Sequence, residues 1–299
     1  MVMEKDMNDK DYKRSLLKEY KDETLEKNKK TIEKYQSDYN ENSQINCDLT
    51  KDNVSIKFCE TNEEKQKWLA YVHLTTSLPY KGAVGRQVKL FIMCEEHVLG
   101  MVHLVSPLAQ SKVRDAYLNF EDKWEQLKGI YNLETCVPTR KYANLLTGKL
   151  LIYSIFSNEI YDYLEHKYCD KIIGFETTSL YGKSSIYNRL PFFKYLGLTE
   201  GLSAVYIKDE EWRKILKEYY EVFPNTKTKR LAPVKFQIVD KLSNYYKKNK
   251  IPFPYEYKSE SFKRGVYFGY RKNIELKDSI DEWRNRWLFK RIEYLKGEN

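Results

Sequence analysis

Two apolar segments with a short polar break between them limit the folds open to this chain. Residues 87–93 and His97–Val105 are rich in Val, Leu, Ile, Phe and Met, and Cys94, Glu95 and Glu96 separate them. Segments of this length with such a connection are typical of two antiparallel strands joined as a hairpin. The chain is therefore expected to contain a β-sheet with this hairpin as part of it.

The order of the remaining elements predicts an α/β fold with one mixed sheet. Between residues 54 and 207 the pattern gives strand 54–58, helix 62–75, the hairpin, strand 131–137, helix 150–168, a short strand ending at Glu176, helix 184–195 and strand 203–207. We predict three regions: a charged helical arm over 1–53, partly disordered near 37–46, the α/β domain over 54–208, and a basic, aromatic extension over 209–299 that packs on the sheet.

Composition sets limits on partners and compartment. Lys and Arg outnumber Asp and Glu by 52 to 43, and the resulting charge of +9 favours polyanionic partners such as DNA. Five scattered cysteines, an odd number, argue against a disulfide framework and indicate a reducing compartment. No zinc-type spacing and no apolar run long enough for a bilayer is present, so we expect no metal, no membrane association and a cytoplasmic location.

Several polar residues follow the short strand that ends at Glu176, where function gathers in α/β folds. Glu176 is the first candidate for a general base, with Tyr187 and Arg189 after it and Glu134 in the neighbouring strand as an alternative acid. His97 and His103 are interpreted as packed or surface imidazoles outside the site. Gly100, in the second hairpin strand, is typical of a sheet position that a ligand approaches.

The order of a hairpin, a strand, a basic loop and a helix resembles the N-acetyltransferase (GNAT) arrangement. In that family the loop before the helix offers backbone N–H groups to the pyrophosphate of coenzyme A. The resemblance implies acetyl-CoA or another acyl donor bound by the loop over 137–149, which contains a single glycine. The residues implied are Val137, Arg140, Thr147, Gly148 and Lys149.

Short motifs between residues 78 and 273 resemble the DruA proteins of the Druantia antiphage systems and, more distantly, the phage Mom adenine-modification proteins. These motifs are Gly174-Phe175-Glu176-Thr177, Tyr187 with Arg189, the segment 195–201, the segment 264–268, and Asn273. The resemblance implies a GNAT-like fold that acts on or near DNA in a phage or defence setting.

Three functions remain open. The first is a transferase that modifies a nucleobase amine in duplex DNA with a flipped base or in a single strand. In this function Glu176 is the base, and Tyr187 returns a proton to the leaving thiolate. Arg189 holds a phosphate or orients Glu176. The second is a non-catalytic DNA-binding protein on a transferase fold. Its phosphate and stacking contacts are predicted at Lys227, Lys229, Arg230, Lys263, Arg264, Tyr267 and Arg271. The third is an acetyltransferase for a protein or small-molecule amine.

Overall fold

The computed structural model describes residues 10–44, 47–80, 82–180, 182–200, 202–224 and 234–297. These ranges form, in chain order, α1 (Lys10–Lys27), α2 (Lys29–Asn42), β1 (Val54–Phe58), α3 (Asn62–Thr75), β2 (Gln87–Cys94), β3 (His97–Val105), α4 (Lys112–Leu118), α5 (Lys123–Gln126), β4 (Ile130–Pro138), α6 (Thr147–Ile155), α7 (Asn158–Tyr168), β5 (Gly174–Ser179), β6 (Lys194–Leu198), β7 (Leu202–Tyr206), α8 (Asp209–Val222), α9 (Val234–Lys248), β8 (Lys258–Phe262), β9 (Gly265–Tyr270), α10 (Leu276–Trp283) and α11 (Phe289–Lys296). A π-helical segment, Arg284–Leu288, joins α10 to α11.

One mixed sheet organises the fold. Among the described residues it has seven strands in the order β1-β2-β3-β4-β5-β9-β6, while β7 and β8 pair as a separate antiparallel ribbon. The β4–β5 pair is parallel, and the other pairs in the large sheet are antiparallel. The prediction of an α/β fold with a mixed sheet flanked by helices is confirmed, and so are the hairpin, β1 and α3.

Two predicted helices differ from the structure. The helix predicted over 150–168 is divided at Ser157, whose extended backbone separates α6 from α7. The segment 184–195 forms turns instead of a helix before β6 begins. There Arg189 has a φ of +65° and Pro191 follows, both of which are incompatible with a continuous helix.

One predicted strand lies outside the main sheet, and one strand of the C-terminal extension lies inside it. The strand predicted over 203–207 pairs with β8. The extension supplies β9, which lies between β5 and β6. The division of the chain into 1–53, 54–208 and 209–299 stays a prediction, although β9 joins the last of these regions to the sheet.

The face of the sheet that bears Leu104, Leu133 and Phe175, the core face, packs against α6, α7 and α10. Their apolar side chains form the largest cluster of buried residues described. A Cβ atom at Gly100 would lie 2.7 Å from a methyl group of Leu151 in α6 and 2.8 Å from the Val137 carbonyl oxygen. The absence of a side chain at Gly100 therefore allows α6 to pack closely against the sheet. The interpretation of Gly100 as a position that a ligand approaches is wrong.

The opposite face bears His103, Asn132 and Glu176 and is called the polar face. Strand pairing places these side chains together, because Val105 lies opposite Asn132, and Asn132 lies opposite Glu176. Helix α3 covers β2 and β3 on this face with one apolar cluster, and α4 with Phe120 and Leu127 covers β4, β6 and β9 with another. The polar residues of β3 and β4 lie between the two clusters.

The N-terminal arm is part of the packed structure. Tyr35, Tyr39 and Asn42 of α2 are buried, and the Asn42 amide exchanges two hydrogen bonds with the backbone of Val98. The segment predicted to be disordered is helical up to Asn42, and residues 45 and 46 lie outside the described ranges. Within the described ranges no helix combines the length and apolar character needed to cross a bilayer.

The docking of α2 brings Cys47 to the end of β2, where its sulfur is bonded to that of Cys94. One bond is not a framework, so the argument against a disulfide framework stays a prediction, although Cys47 and Cys94 are paired. The thiols of Cys59, Cys136 and Cys169 are unbonded.

Candidate functional site

Glu176 lies in β5 on the polar face and is 2% exposed. Its Oε2 accepts a hydrogen bond of 2.8 Å from Nη1 of Arg114, and its Oε1 accepts one of 2.8 Å from the Leu108 N–H. Burial raises the pKa of the Glu176 carboxyl, while Arg114 and the Leu108 N–H oppose this effect. Both oxygens are engaged inside the protein, so Glu176 holds α4 against the sheet.

Arg114 extends this contact into a buried network. Its guanidinium, which is fully buried, also donates to the Leu108 carbonyl and to Asp115, which in turn accepts from Lys123 at 2.7 Å. The sequence offered Arg189 as the partner that orients Glu176, and the structure assigns that contact to Arg114. The loop after β3 and the short helices α4 and α5 are thereby fixed over β5.

Glu134 has a different environment, although it lies on the same face. The register pairs His103 with Thr135 and Leu104 with Leu133, so Glu134 is the extra residue of a β-bulge. The bulge directs its carboxylate to the His103 imidazole, where Oε2 lies 2.6 Å from Nδ1. The Glu134 side chain is 31% exposed, whereas that of His103 is fully buried. A carboxylate that contacts both solvent and a buried imidazole is suited to proton transfer.

Aromatic and cationic side chains complete the surroundings of His103. The Tyr80 hydroxyl lies 3.2 Å from the same Nδ1, and the Trp68 ring lies 5.4 Å from the imidazole. Lys89 is opposite His103 in β2, with its ammonium 5.1 Å from the Trp68 ring, and burial lowers its pKa. Within the described residues Nε2 of His103 has no hydrogen-bond partner.

Tyr187 is on the other face of the sheet from Glu176. Strands β4 and β5 pair only from Ile130/Gly174 to Asn132/Glu176, and then the Thr177 hydroxyl donates to the Leu133 carbonyl. The Tyr187 hydroxyl lies 3.5 Å from that of Thr177. Burial raises the pKa of Tyr187, and burial raises the pKa of the nearby Cys136 thiol to about 12. Neither group is ionised near neutral pH.

Arg189 lies at the rim of the same region, next to Lys149 and Trp287. The Lys149 ammonium donates to the carbonyls of Ser185 and Ile186 at 2.7 and 3.0 Å. Its distance to the centre of the Trp287 ring is 4.3 Å. Lys149 therefore ties the turns that carry Tyr187 and Arg189 to the start of α6.

In the loop over 137–149, which was predicted to hold an acyl donor, the last three residues are buried. The Thr147 hydroxyl donates to the Tyr142 carbonyl, and Thr147, Gly148 and Lys149 are buried. The C-terminal helices cover this end of α6, since the Trp283 indole contacts the Leu146 carbonyl. Val137 is half-buried and Arg140 is exposed. The side chains of Thr147 and Lys149 are thus engaged inside the protein, and the acyl donor stays a prediction.

The predicted nucleic-acid contacts that the structure describes differ in exposure and in partners. Lys227, Lys229 and Arg230 lie outside the described residues. Tyr267 is 1% exposed and its hydroxyl bonds to Asn188, so its ring is not available to stack on a base. Arg271 forms an ion pair of 2.5 Å with Glu165. Lys263 is exposed next to Arg264, whose backbone pairs with Thr199.

One group of potential metal ligands is present among the described residues. Single ligand atoms of Cys47, Asp52 and Cys94 lie within 4.8 Å of one another. Because the two sulfurs are bonded to each other, neither is a thiolate ligand. The expectation that the protein binds no metal stays a prediction.

Two site residues were missed in the sequence. Arg114 lies on a seven-residue helix 62 residues before Glu176, and no local pattern connects them. His103 carried a signal, because it is a polar residue within the otherwise apolar strand β3. Its contact with Glu134 depends on the bulge, which strand alternation does not reveal.

The fold and these contacts define an α/β protein whose mixed sheet carries a buried ion pair and a half-exposed His–Glu pair on one face. The family model of Druantia protein DruA matches residues 6–238. Druantia protein DruA of Escherichia coli (strain UMEA 4076-1) is 27% identical over 160 residues, and the match covers 46% of this chain and 39% of that protein. The chain belongs to the Druantia DruA family.

The family match confirms the resemblance to DruA and supports the antiphage defence setting that it implies. The matched range begins before residue 78 and ends before residue 273, the limits within which the motifs lie. The aligned region spans less than half the length of the E. coli relative.

Proposed function

We propose that this protein is a GNAT-like transferase that acts on DNA in a defence system, with the His103–Glu134 pair as its acid–base group. The observation that carries the proposal is the 2.6 Å contact between Nδ1 of His103 and Oε2 of a half-exposed Glu134. The separation of β4 from β5 beyond Asn132 supports a GNAT-like arrangement, since it opens the sheet beside this pair. The distant resemblance to Mom proteins favours a nucleobase amine as acceptor.

The chemistry needs a base because the exocyclic amine of a nucleobase must lose a proton as it is modified. The nitrogen forms a bond to the transferred group while that group separates from its donor, and the amine proton passes to a carboxylate. Oε2 of Glu134 accepts from His103, and Oε1 makes no hydrogen bond within the described part of the chain. Glu134 is thus the acceptor for the proton, and His103 is a positioning residue that fixes its orientation.

This assignment moves the base from Glu176, the first candidate from the sequence, to Glu134, the alternative. Glu176 has both oxygens committed to Arg114 and Leu108 and is almost fully buried. A base must lie within hydrogen-bond reach of the amine, and a nucleobase cannot reach Glu176 while α4 covers it. Glu176 supports the site by holding the adjacent loop.

The test is mass spectrometry of nucleosides from DNA of cells that express the wild type, Glu134→Gln or Glu96→Gln. Glu96 is an exposed acid of the β2–β3 turn and serves as the matched control. We expect a new nucleoside mass with the wild type and Glu96→Gln and its loss with folded Glu134→Gln. Full modification by Glu134→Gln would overturn the assignment of the base, and unchanged DNA with folded wild type would overturn the transferase.

A non-catalytic DNA-binding protein is the second candidate. The internal contacts of Thr147 and Lys149 favour it, because they occupy groups that an acyl donor would need. It predicts salt-dependent DNA binding, no thermal shift with coenzyme A and no new nucleoside. Transfer to a peptide or polyamine in the absence of DNA would instead support an acetyltransferase for those amines.

A further inference from the structure

Three cationic side chains surround one indole ring beside the start of α6. Lys149, Arg189 and Arg286 lie 4.3, 5.8 and 5.5 Å from the centre of the Trp287 ring. Within the described residues none of the three forms an ion pair with a carboxylate. The buried cation Arg114, by contrast, is paired with two acids, Asp115 and Glu176.

Two acids of α10 are engaged with other groups. Asp281 pairs with Arg284 at 3.0 Å, and Glu282 accepts a hydrogen bond from the Tyr153 hydroxyl at 3.4 Å. Burial, together with the charges of Arg189 and Arg286, lowers the pKa of Lys149 to about 8. The three cations thus affect one another and have no carboxylate partner among the described residues.

The backbone holds these side chains in place. Arg189 has a left-handed φ of +65°, which is costly for a residue with a Cβ atom. The Arg286 guanidinium donates to the Arg189 carbonyl at 2.8 Å, and Lys149 fixes the preceding turns. The Arg189 side chain itself is exposed and makes no hydrogen bond in the described part of the chain. The strained backbone thus presents a guanidinium that has no hydrogen-bond or ion-pair partner among the described residues.

We propose that Arg189, Arg286 and Trp287, with Lys149 behind them, form a binding site for a phosphate ester. Guanidinium groups bind phosphate oxygens in paired hydrogen bonds, and the Trp287 ring holds the cations beside one another through cation–π contacts. The inference rests on the proposed function, which supplies two sources of this chemistry: the backbone of a single DNA strand, or the phosphates of a nucleotide-type donor.

The first experiment measures binding of fluorescein-labelled dT12 by anisotropy over a salt series. For the double variant Arg189→Met/Arg286→Met we expect an affinity at least ~10-fold lower and a salt slope smaller by about 1.4, as for two lost contacts to a single strand. Arg213→Met and Lys217→Met, which remove two exposed cations of α8, should bind as the wild type does. Because the Arg189 side chain bonds to nothing in the protein, Arg189→Met alone remains informative if the double variant does not fold.

Competition distinguishes the two sources. Displacement of dT12 by coenzyme A or inorganic pyrophosphate, lost in Arg189→Met, would support a donor site, and dT12 binding without such displacement would support a DNA-backbone site. Wild-type affinity of the folded arginine variants for all three ligands would overturn the phosphate site. Anisotropy of dT12 reports on the phosphate site and nucleoside masses report on the transferase, so a failure of the transferase proposal is separable from a failure of this one.

Discussion

Glu134 and Glu176 illustrate how surroundings decide what a carboxylate can do. Both were candidates because each lies in a strand near the centre of the sheet, and the sequence could not rank them by exposure. The structure buries Glu176 against Arg114 and leaves Glu134 half-exposed beside His103. What could not be predicted was the partner in each case, since one depends on a short helix and the other on a β-bulge.

Replacement of Glu176 is expected to affect stability first. In Glu176→Gln the buried Arg114 loses its charged partner, and the loss of one member of a buried ion pair costs about 3 kcal/mol or more. Asp115 still contacts Arg114 and moderates the loss. Urea unfolding should show a clearly lower midpoint for Glu176→Gln than for Glu134→Gln. Equal stability together with lost activity would return the catalytic role to Glu176.

His73 is expected to make the fold sensitive to acid. It is 2% exposed, neither ring nitrogen has a partner among the described residues, and burial lowers its pKa to about 4. The unfolded chain therefore binds the proton more readily, and stability falls as the pH is lowered from about 6.5 to about 4. The full loss is roughly 3 kcal/mol.

The measurement is the free energy of unfolding at pH 7, 6 and 5 for the wild type, His73→Leu and His166→Gln, an exposed control. The wild type and His166→Gln should lose stability in parallel, and His73→Leu should lose less. A pH dependence that is the same in all three would exclude His73 as its source.

At the scale of elements, the start of α6 shows most clearly where sequence patterns stop being informative. A basic loop before an amphipathic helix is the pattern of a phosphate-binding helix terminus, and the helix does begin there at Thr147. Its first residues are nevertheless covered by α10 and the segment after it, which are distant in sequence. The turns over 184–190 were predicted as a helix from their apolar spacing. That spacing does not show that the Lys149 ammonium donates hydrogen bonds to the carbonyls of these turns.

Alanine substitutions at Gly148, in α6, and at Gly100, which packs against α6, are expected to differ in their effect on stability. Gly148→Ala places its Cβ at 3.7 Å from the nearest atom, an ordinary contact, so stability should change by less than about 1 kcal/mol. Gly100→Ala brings a Cβ to 2.8 Å from the Val137 carbonyl and should cost about 1–3 kcal/mol. Thermal unfolding of both variants checks this. Loss of activity in a stable Gly148→Ala would indicate that a ligand approaches this backbone.

For the whole molecule, the order of elements along the chain correctly predicted a mixed sheet with helices on its faces. This was possible because hydrophobic periodicity and element length are properties of short segments. The position of β9 was not predictable in that way. Its pairing with β5 and β6 is set by contacts across the chain, and it lies beyond residue 238, where the family match ends.

Truncation tests the role of β9. A chain that ends after residue 264 lacks the strand that pairs with both β5 and β6, and we expect it to show no cooperative unfolding. A chain that ends after residue 288 keeps β9 and α10 and loses only α11, which has no buried residue, and it should unfold cooperatively. Circular dichroism during urea titration measures both. A cooperative transition in the shorter chain would show that β9 is dispensable.

The interior position of β9 also has a consequence during synthesis. Strands β5 and β6 leave the ribosome first, and their shared partner begins only at Gly265. Until then each presents an unpaired strand edge, the kind of surface that recruits other chains into aggregates. The nascent protein therefore depends on rapid completion of translation, or on a chaperone, for the interval in which its sheet is open.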